Sequence, residues 1–263
     1  LAISEMEDYY GVKLFDRISR KLYLTENGRR ALQYARHIID LLDEMEQGVR
    51  DVDAMGRLKV GTSITIGTYL LPGYIKKLKQ QYPALKVEAS IANSGTIEQQ
   101  ILDNDIDVGI IEGVAHSPFI LSESFAGDRL VFICPAGHEF AGKTLEELSE
   151  VRNQDFILRE KGSAGREIFD GILAAQELNV RPIWQSASNQ VILQGVKAGL
   201  GISILPYFLV RQDIREGELA EFRIKDLALN RKYSVIYHKN KFLPRSARTL
   251  MELCKEGNGA DRL

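Results

Sequence analysis

The chain has 263 residues, 44% of them hydrophobic and 27% charged, which fits a globular protein with one large or two smaller domains. Lys and Arg (34) nearly balance Asp and Glu (36), so the overall charge indicates neither a general nucleic-acid binder nor an acidic tail. No apolar stretch is long enough to span a membrane and no signal peptide is visible, which, with only two distant cysteines (Cys134 and Cys254), suits a reducing cytoplasm. Those cysteines form no CxxC and have no His at metal spacing, so neither a disulfide framework nor a metal or other cofactor is expected; Cys134, in the apolar run Val131-Phe132-Ile133, reads as a buried thiol.

The even charge hides an asymmetry near the start. Between Gly11 and His37 there are seven basic residues (Lys13, Arg17, Arg20, Lys21, Arg29, Arg30 and Arg36) against two acids, Asp16 and Glu26. Such a local block is what a phosphate-contacting module needs. Arg17, Arg20 and Lys21 fall between two elements, where a β-wing would lay them along phosphates or a minor groove; the plainer reading is a solvated basic loop. From Thr25 to about Met55 there is no Pro, and Ala31, Ala35, Ile38, Leu42, Met45, Val49 and Val52 recur at alternating spacings of four and three. This predicts one long helix with a heptad seam, N-capped by Thr25 and roughly 45 Å long at 1.5 Å per residue. Its opposite face is charged, so the seam needs a partner helix and is expected to hold a homodimer.

From Arg57 onward the texture alternates between strands and helices. Strands are expected at Leu58–Gly61, Leu85–Ile91 and Ile106–Ile111, with helices at Leu70–Gln81 and Ser94–Asp103. A strand pair follows near Leu121–Phe125 and Arg129–Cys134. Then come a strand at Phe156–Leu158, a helix at Ala164–Leu178, a strand at Pro182–Gln185, a helix at Gln190–Ala198 and a strand at Gly201–Leu205. A late strand (Lys232–His238) and a closing helix (Pro244–Cys254) complete the chain. This is an α/β pattern in two successive βαβ blocks, hence two lobes.

Gly11-Val12-Lys13-Leu14-Phe15-Asp16-Arg17, followed by Leu24-Thr25-Glu26-Asn27-Gly28, resembles the end of a LysR-type winged helix-turn-helix. Leu71-Pro72 with Tyr82-Pro83, the run Asp105–Ile110 and the run Val196–Pro206 look like landmarks of the same family's effector domain, so the resemblance spans essentially the whole chain in order. It implies a winged-helix remnant at residues 1–25, with residues 1–10 only the tail of the recognition helix. A linker and dimerisation helix at 26–56 and a periplasmic-binding-protein-like effector domain at 57–263 complete the implied organisation. The expected lobes are 57–127 with 238–263, and 128–237. The implied function is ligand-responsive, DNA-binding transcription regulation by a homodimer or homotetramer of bacterial, cytoplasmic type, with double-stranded DNA, a small effector and other copies of itself as partners, and no membrane.

Two lookalike motifs are set aside. Gly137–Thr144 fits GxxxxGK[ST], but Glu146 and Glu147 would repel a phosphate, and Thr144 with Glu147 reads as a capping box on a short helix. Gly199-Leu200-Gly201 lies between a helix and a strand, the reverse of a dinucleotide site. His37, His116, His138 and His238 are scattered, with no HExxH, no GxSxG and no carboxylate pair, so no enzyme is expected. What remains is a repeated placement of small polar residues at helix starts: Ser63, Ile64 and Thr65; Ser94, Gly95 and Thr96; Ser163; and Ser188 with Asn189. In an open α/β sheet, ligands bind at the carboxyl ends of strands, where helix N-termini offer free N–H groups. These junctions are therefore expected to line an interlobe site for a small anionic metabolite, using hydroxyls and N–H groups without a buried Arg. The alternative is a free-standing two-lobed solute receptor with no DNA role.

Overall fold

The computed structural model describes residues 2–18, 21–49 and 56–256. Helix α1 (Ala2–Tyr10) is held to the next element by Glu7, whose carboxylate accepts the N–H groups of Leu14 (2.7 Å) and Phe15 (3.2 Å). Strands β1 (Phe15–Ile18) and β2 (Lys21–Leu24) pair antiparallel as a wing, with Arg17 opposite Leu22. Thr25 caps α2 (Glu26–Val49): its Oγ1 accepts from the Gly28 N–H (2.9 Å) and donates to the Lys13 carbonyl (2.6 Å), pinning the helix to the wing. A Cβ at Gly28 would lie 2.0 Å from the Leu14 carbonyl oxygen, so this close approach requires glycine.

The rest of the chain builds the two lobes. In the first, β3 (Arg57–Ser63) leads through α3 (Ile64–Tyr69) and α4 (Leu71–Gln81) to β4 (Lys86–Ala92), and α5 (Ser94–Leu102) leads on to β5 (Val108–Glu112). Strand β3 lies parallel between β4 and β5. The chain then runs through β6 (Ile120–Pro135), β7 (Thr144–Leu145), a 3-10 turn (Leu148–Val151), β8 (Phe156–Arg159), α6 (Ala164–Ala175), β9 (Pro182–Ser186) and α7 (Asn189–Lys197). It finishes with β10 (Ser203–Pro206), α8 (Tyr207–Arg215), β11 (Leu219–Ile224), β12 (Asn230–His238) and α9 (Arg245–Glu256). The main sheet has the order β4-β3-β5-β12-β6-β11-β7, with β10 also paired to β6 and β8-β9 a separate parallel pair. Separate apolar cores serve the lobes. Leu58, Val60, Ile66, Leu78, Val235 and Leu250 pack in the first, and Phe156, Leu158, Phe169 and Phe222 in the second.

Three sequence expectations change here. The strand pair around residues 121–134 is one 16-residue strand, β6. The break suggested by Ala126-Gly127-Asp128 is absent because β12 pairs along that whole stretch, from Ile120↔His238 to Arg129↔Asn230, before β10 and β11 take over. Thr144 caps no helix. It pairs with Arg223 in β7, and the capping box on the following turn belongs to Glu147 and Glu150. The GxxxxGKT segment therefore enters a strand, whereas a phosphate loop must enter a helix. Helix α8 and strand β11, which the apolar pattern did not resolve, fill the second lobe. The expected boundaries near residues 127 and 237 fall within β6 and β12, the two long strands that adjoin each other.

Candidate effector-binding cleft

The parallel strands of the first lobe deliver their carboxyl ends to one edge. Ser63 stands opposite Ala92 in the β3–β4 register, and Thr62 opposite Ile110 in β5. Ser63 occupies the N-cap position of α3 without making a capping hydrogen bond, and Ile64, half-buried, opens the helix. The hydroxyls of Thr62, Ser63 and Thr65 are all buried and have no hydrogen-bond partner. Thr62 and Ser63 alternate across β3, so the Thr62 hydroxyl lies against Gly67 of α3, and it is Ser63 and Thr65 whose unmade hydrogen bonds, at about 1–3 kcal/mol each, leave donors for a polar guest. At α5 the cap is Asn93 rather than Ser94: Asn93 Oδ1 accepts from the Thr96 N–H (2.9 Å). Ser94 is buried and its Oγ donates to the Glu112 carbonyl (2.9 Å), tying α5 to the end of β5, while the Thr96 side chain is exposed.

The second lobe meets this edge directly. The Gly95 N–H donates to the Gly162 carbonyl (3.0 Å), and Asn93 Nδ2 donates to Glu160 Oε1 (3.2 Å). Beside them, Gly113, with a φ of +85°, would place a Cβ only 2.9 Å from the Ala164 Cβ, so the lobes touch where any side chain at Gly113 would part them. His116 bridges the gap as well, with Nδ1 at 3.2 Å from Glu98 in α5 and Nε2 at 2.5 Å from Glu167 in α6. The ring of Tyr69 in α3 meets that of Phe208 in α8 edge-on at 5.1 Å.

A buried Arg, which the sequence reading left out of its polar set, closes β8 next to the lobe contact. Arg159 is 8% exposed, and its Nη1 donates to Asn189 Oδ1 (2.8 Å), so the predicted Asn189 orients a guanidinium. An apolar strand run followed by a single Arg was the available signal, but its direction depends on the fold. Ser163 sits buried at the N-cap position of α6 and makes no capping bond, whereas Ser188 is spent capping α7 through the Val191 N–H (3.3 Å). Of the predicted polar set, the structure thus brings Ser63, Ser94 and Gly95 to one strand-end edge and links that edge to the Arg159–Asn189 pair through Glu160. It commits Ser188 to its own helix.

Lys21 is exposed on β2 and Arg17 lies in β1; Arg20 and Val52 fall outside the described residues. Along α2 the seam residues Ile38 (57%), Leu42 (52%) and Met45 (58%) are exposed, as is Ala35, while Ala31 is half-buried and Val49 ends the helix. What α2 offers its own effector domain is polar: His37 Nε2 lies 2.8 Å from the Asn240 carbonyl, and Arg36 donates to the Asp103 carbonyl (3.4 Å). Both cysteines are buried, and burial pushes the thiol of Cys134 up to about 11 and that of Cys254 up to about 12, which keeps them protonated and unreactive at neutral pH.

The architecture has close counterparts among known proteins. Residues 53–259 match the family model of the LysR substrate binding domain. The HTH-type transcriptional regulator YeiE of Escherichia coli is 34% identical over 259 residues, an alignment covering 98% of this chain and 87% of that protein. Among solved structures, the Synechocystis CcmR regulatory domain in complex with 2-PG superimposes with a TM-score of 0.69 at 24% identity, covering 78% of this chain and 98% of that one. A Corynebacterium glutamicum OxyR mutant covers 97% of this chain and 82% of its own at a TM-score of 0.65 and 21% identity. A family match over most of the chain, joined to a relative aligned almost end to end and to the two-lobed fold, means that this chain belongs to the LysR family of transcriptional regulators.

Proposed function

We propose that this regulator senses a small anionic metabolite in the cleft between its lobes and transmits the occupancy to DNA through the linker helix and wing. The observation that carries this reading is the pair of unpartnered buried hydroxyls, Ser63 and Thr65, where β3 enters α3; the buried cation Arg159 of the other lobe is linked to the neighbouring strand end through Glu160 and Asn93. Hydroxyls and a guanidinium supply the donors that a carboxylate or related oxyanion requires. Ser94, Gly95, Thr96, Ser163, Ser188 and Asn189 complete the proposed lining. The CcmR regulatory domain, of like fold, was solved with the ligand 2-PG, which supports assigning a small ligand to this domain.

The domain organisation belongs to the same proposal: a winged-helix remnant to residue 25, the linker at 26–56, and the two-lobed sensor beyond. Exposure of Ile38, Leu42 and Met45 supports pairing of α2 with a second copy, and the hairpin that carries Arg17 and Lys21 supports contact with DNA phosphates, to which Arg20 is assigned from the sequence. To regulate, the effector must bind two arrangements of the lobes unequally, and the contacts Gly95–Gly162, Asn93–Glu160 and His116–Glu167 are those that a change of lobe angle would break.

A metabolite screen by thermal shift, followed by calorimetry, tests the site. The double variant Ser63→Ala/Ser94→Ala should bind the ligand found at least several-fold more weakly, with each lost donor worth about 0.5–3 kcal/mol; loss of the Ser94–Glu112 hydrogen bond also lowers its ligand-free melting temperature, so Ser94→Ala alone is measured beside it. Wild-type affinity in the double variant would place the effector elsewhere.

A further inference from the structure

The cation of the cleft is already occupied by the protein itself. Arg159 Nε donates to Glu160 Oε2 (2.9 Å) and its Nη2 to Glu160 Oε1 (3.1 Å), so adjacent residues form a two-point grip of carboxylate on guanidinium. The same carboxylate accepts from Asn93 Nδ2 (3.2 Å) in the first lobe, and two residues on, Gly162 takes the Gly95 N–H with its carbonyl. The loop that carries Glu160 therefore covers both donors that the junction of β8 and α5 would offer an anion. Burial disfavours the charge on Glu160, but the hydrogen bonds and attraction of Arg159 outweigh it and hold the carboxyl below its usual range, so it is ionised at neutral pH.

We propose that Glu160 is a tethered substitute for the effector: it neutralises Arg159 while the lobes are bridged, and an effector must bring an oxyanion able to displace it. This rests on the reading of the cleft as the effector site and adds the rule by which that site selects. A neutral ligand cannot replace a carboxylate on a buried guanidinium without leaving that charge uncompensated. An anion arriving with Glu160 still in place meets its repulsion. An anion that expels Glu160 also removes the acceptor of Asn93, so the exchange breaks a contact between lobes. Ligand charge and lobe geometry are thereby coupled through one side chain, which gives the effector the unequal affinity for two arrangements that regulation needs.

Acetate, a carboxylate of the size of the Glu160 terminus, is the probe. Glu160→Ala in the full chain removes the tethered group and leaves its place open. Calorimetry should show acetate binding about ten-fold tighter than in the wild type, since a desolvated, unpaired guanidinium gains most from an anion. Acetate should also raise the melting temperature of this variant more than chloride at equal ionic strength, and Arg159→Gln/Glu160→Ala should lose both effects. If Glu160→Ala does not fold, Glu160→Gln carries the same comparison. Acetate affinity equal to or below that of the wild type in a folded variant overturns the proposal, as does an absence of acetate binding in every variant. Weakened effector binding in Ser63→Ala/Ser94→Ala alongside an unaltered Glu160→Ala would keep the cleft as the effector site and remove only the tethered anion.

Discussion

At the scale of single residues, the two lobes are bridged by an imidazole whose charge state can be switched. His116 lies between Glu98, which reaches it from α5, and Glu167, which reaches it from α6 of the other lobe. Hydrogen bonds to Glu98 and Glu167 raise its pKa above the ordinary 6.5 against a smaller opposing effect of burial. A folded-state pKa above the unfolded value means that protonation stabilises the bridged form. That contribution is complete below about pH 6.5 and is lost as pH rises through the raised value. His116→Gln should therefore melt below the wild type at about pH 5–6, with the gap closing as pH rises through the raised pKa. A gap that is the same at every pH would remove the imidazolium from the account. Glu98 stays in place in either state, because its Oε1 also accepts the N–H groups of His116 (2.8 Å) and Ser117 (2.7 Å).

At the scale of elements, α2 and β6 show opposite relations between pattern and context. The heptad spacing of α2 is strong enough to be read alone, and among the described residues Ile38, Leu42 and Met45 of its seam are each more than half exposed. Placing charges there, as Ile38→Glu/Leu42→Glu, should cost several kcal/mol of association while leaving the effector domain folded. Sedimentation of the double variant, run beside a 1–56 fragment so that assembly through effector domains does not mask the change, checks it; an unchanged oligomer would discard the seam. Strand β6 is the reverse case. Its middle is small and polar, and only the neighbour strands make it continuous. Helix α8 and strand β11 escaped the pattern for a related reason. Val210 is the only residue of α8 that is buried, too little for a periodic stripe.

At the scale of the whole molecule, β5, β6 and β12 are locked together by a buried ionic group. Arg231 donates to both oxygens of Asp128 (2.6 and 2.7 Å) and lies 3.0 Å from Glu112, with side-chain exposures of 2%, 9% and 4% for Arg231, Asp128 and Glu112. Burial would depress the guanidinium pKa, and attraction to Glu112 and Asp128 raises it instead. Since Glu112 closes β5 beside the Ser94 hydroxyl, this group fixes the first-lobe edge of the cleft to the strands that continue toward the second lobe. Arg231→Met would strand two buried carboxylates and should lower unfolding stability by about 3–5 kcal/mol, measured by urea denaturation. A loss below about 1 kcal/mol would mean that the carboxylates protonate or rehydrate at little cost.

By itself the sequence determined most of the alternation of elements, the long helix α2 and the junctions that carry Ser94 and Ser163, because apolar periodicity and capping chemistry are local properties. The short helix α3 after Ser63 had too few turns to show a period. Family membership was legible too, from short motifs in a fixed order. Only the tertiary structure decided which of those polar groups are free. Ser188 and Ser63 look alike in sequence, yet one hydroxyl caps its helix and the other has no partner. Whether Arg159 faces solvent or a cleft, and whether Glu160 reaches Asn93, depends on residues 67 positions apart being brought within hydrogen-bond distance. No local pattern encodes that, because the energy of a buried charge is set by whatever the fold places around it.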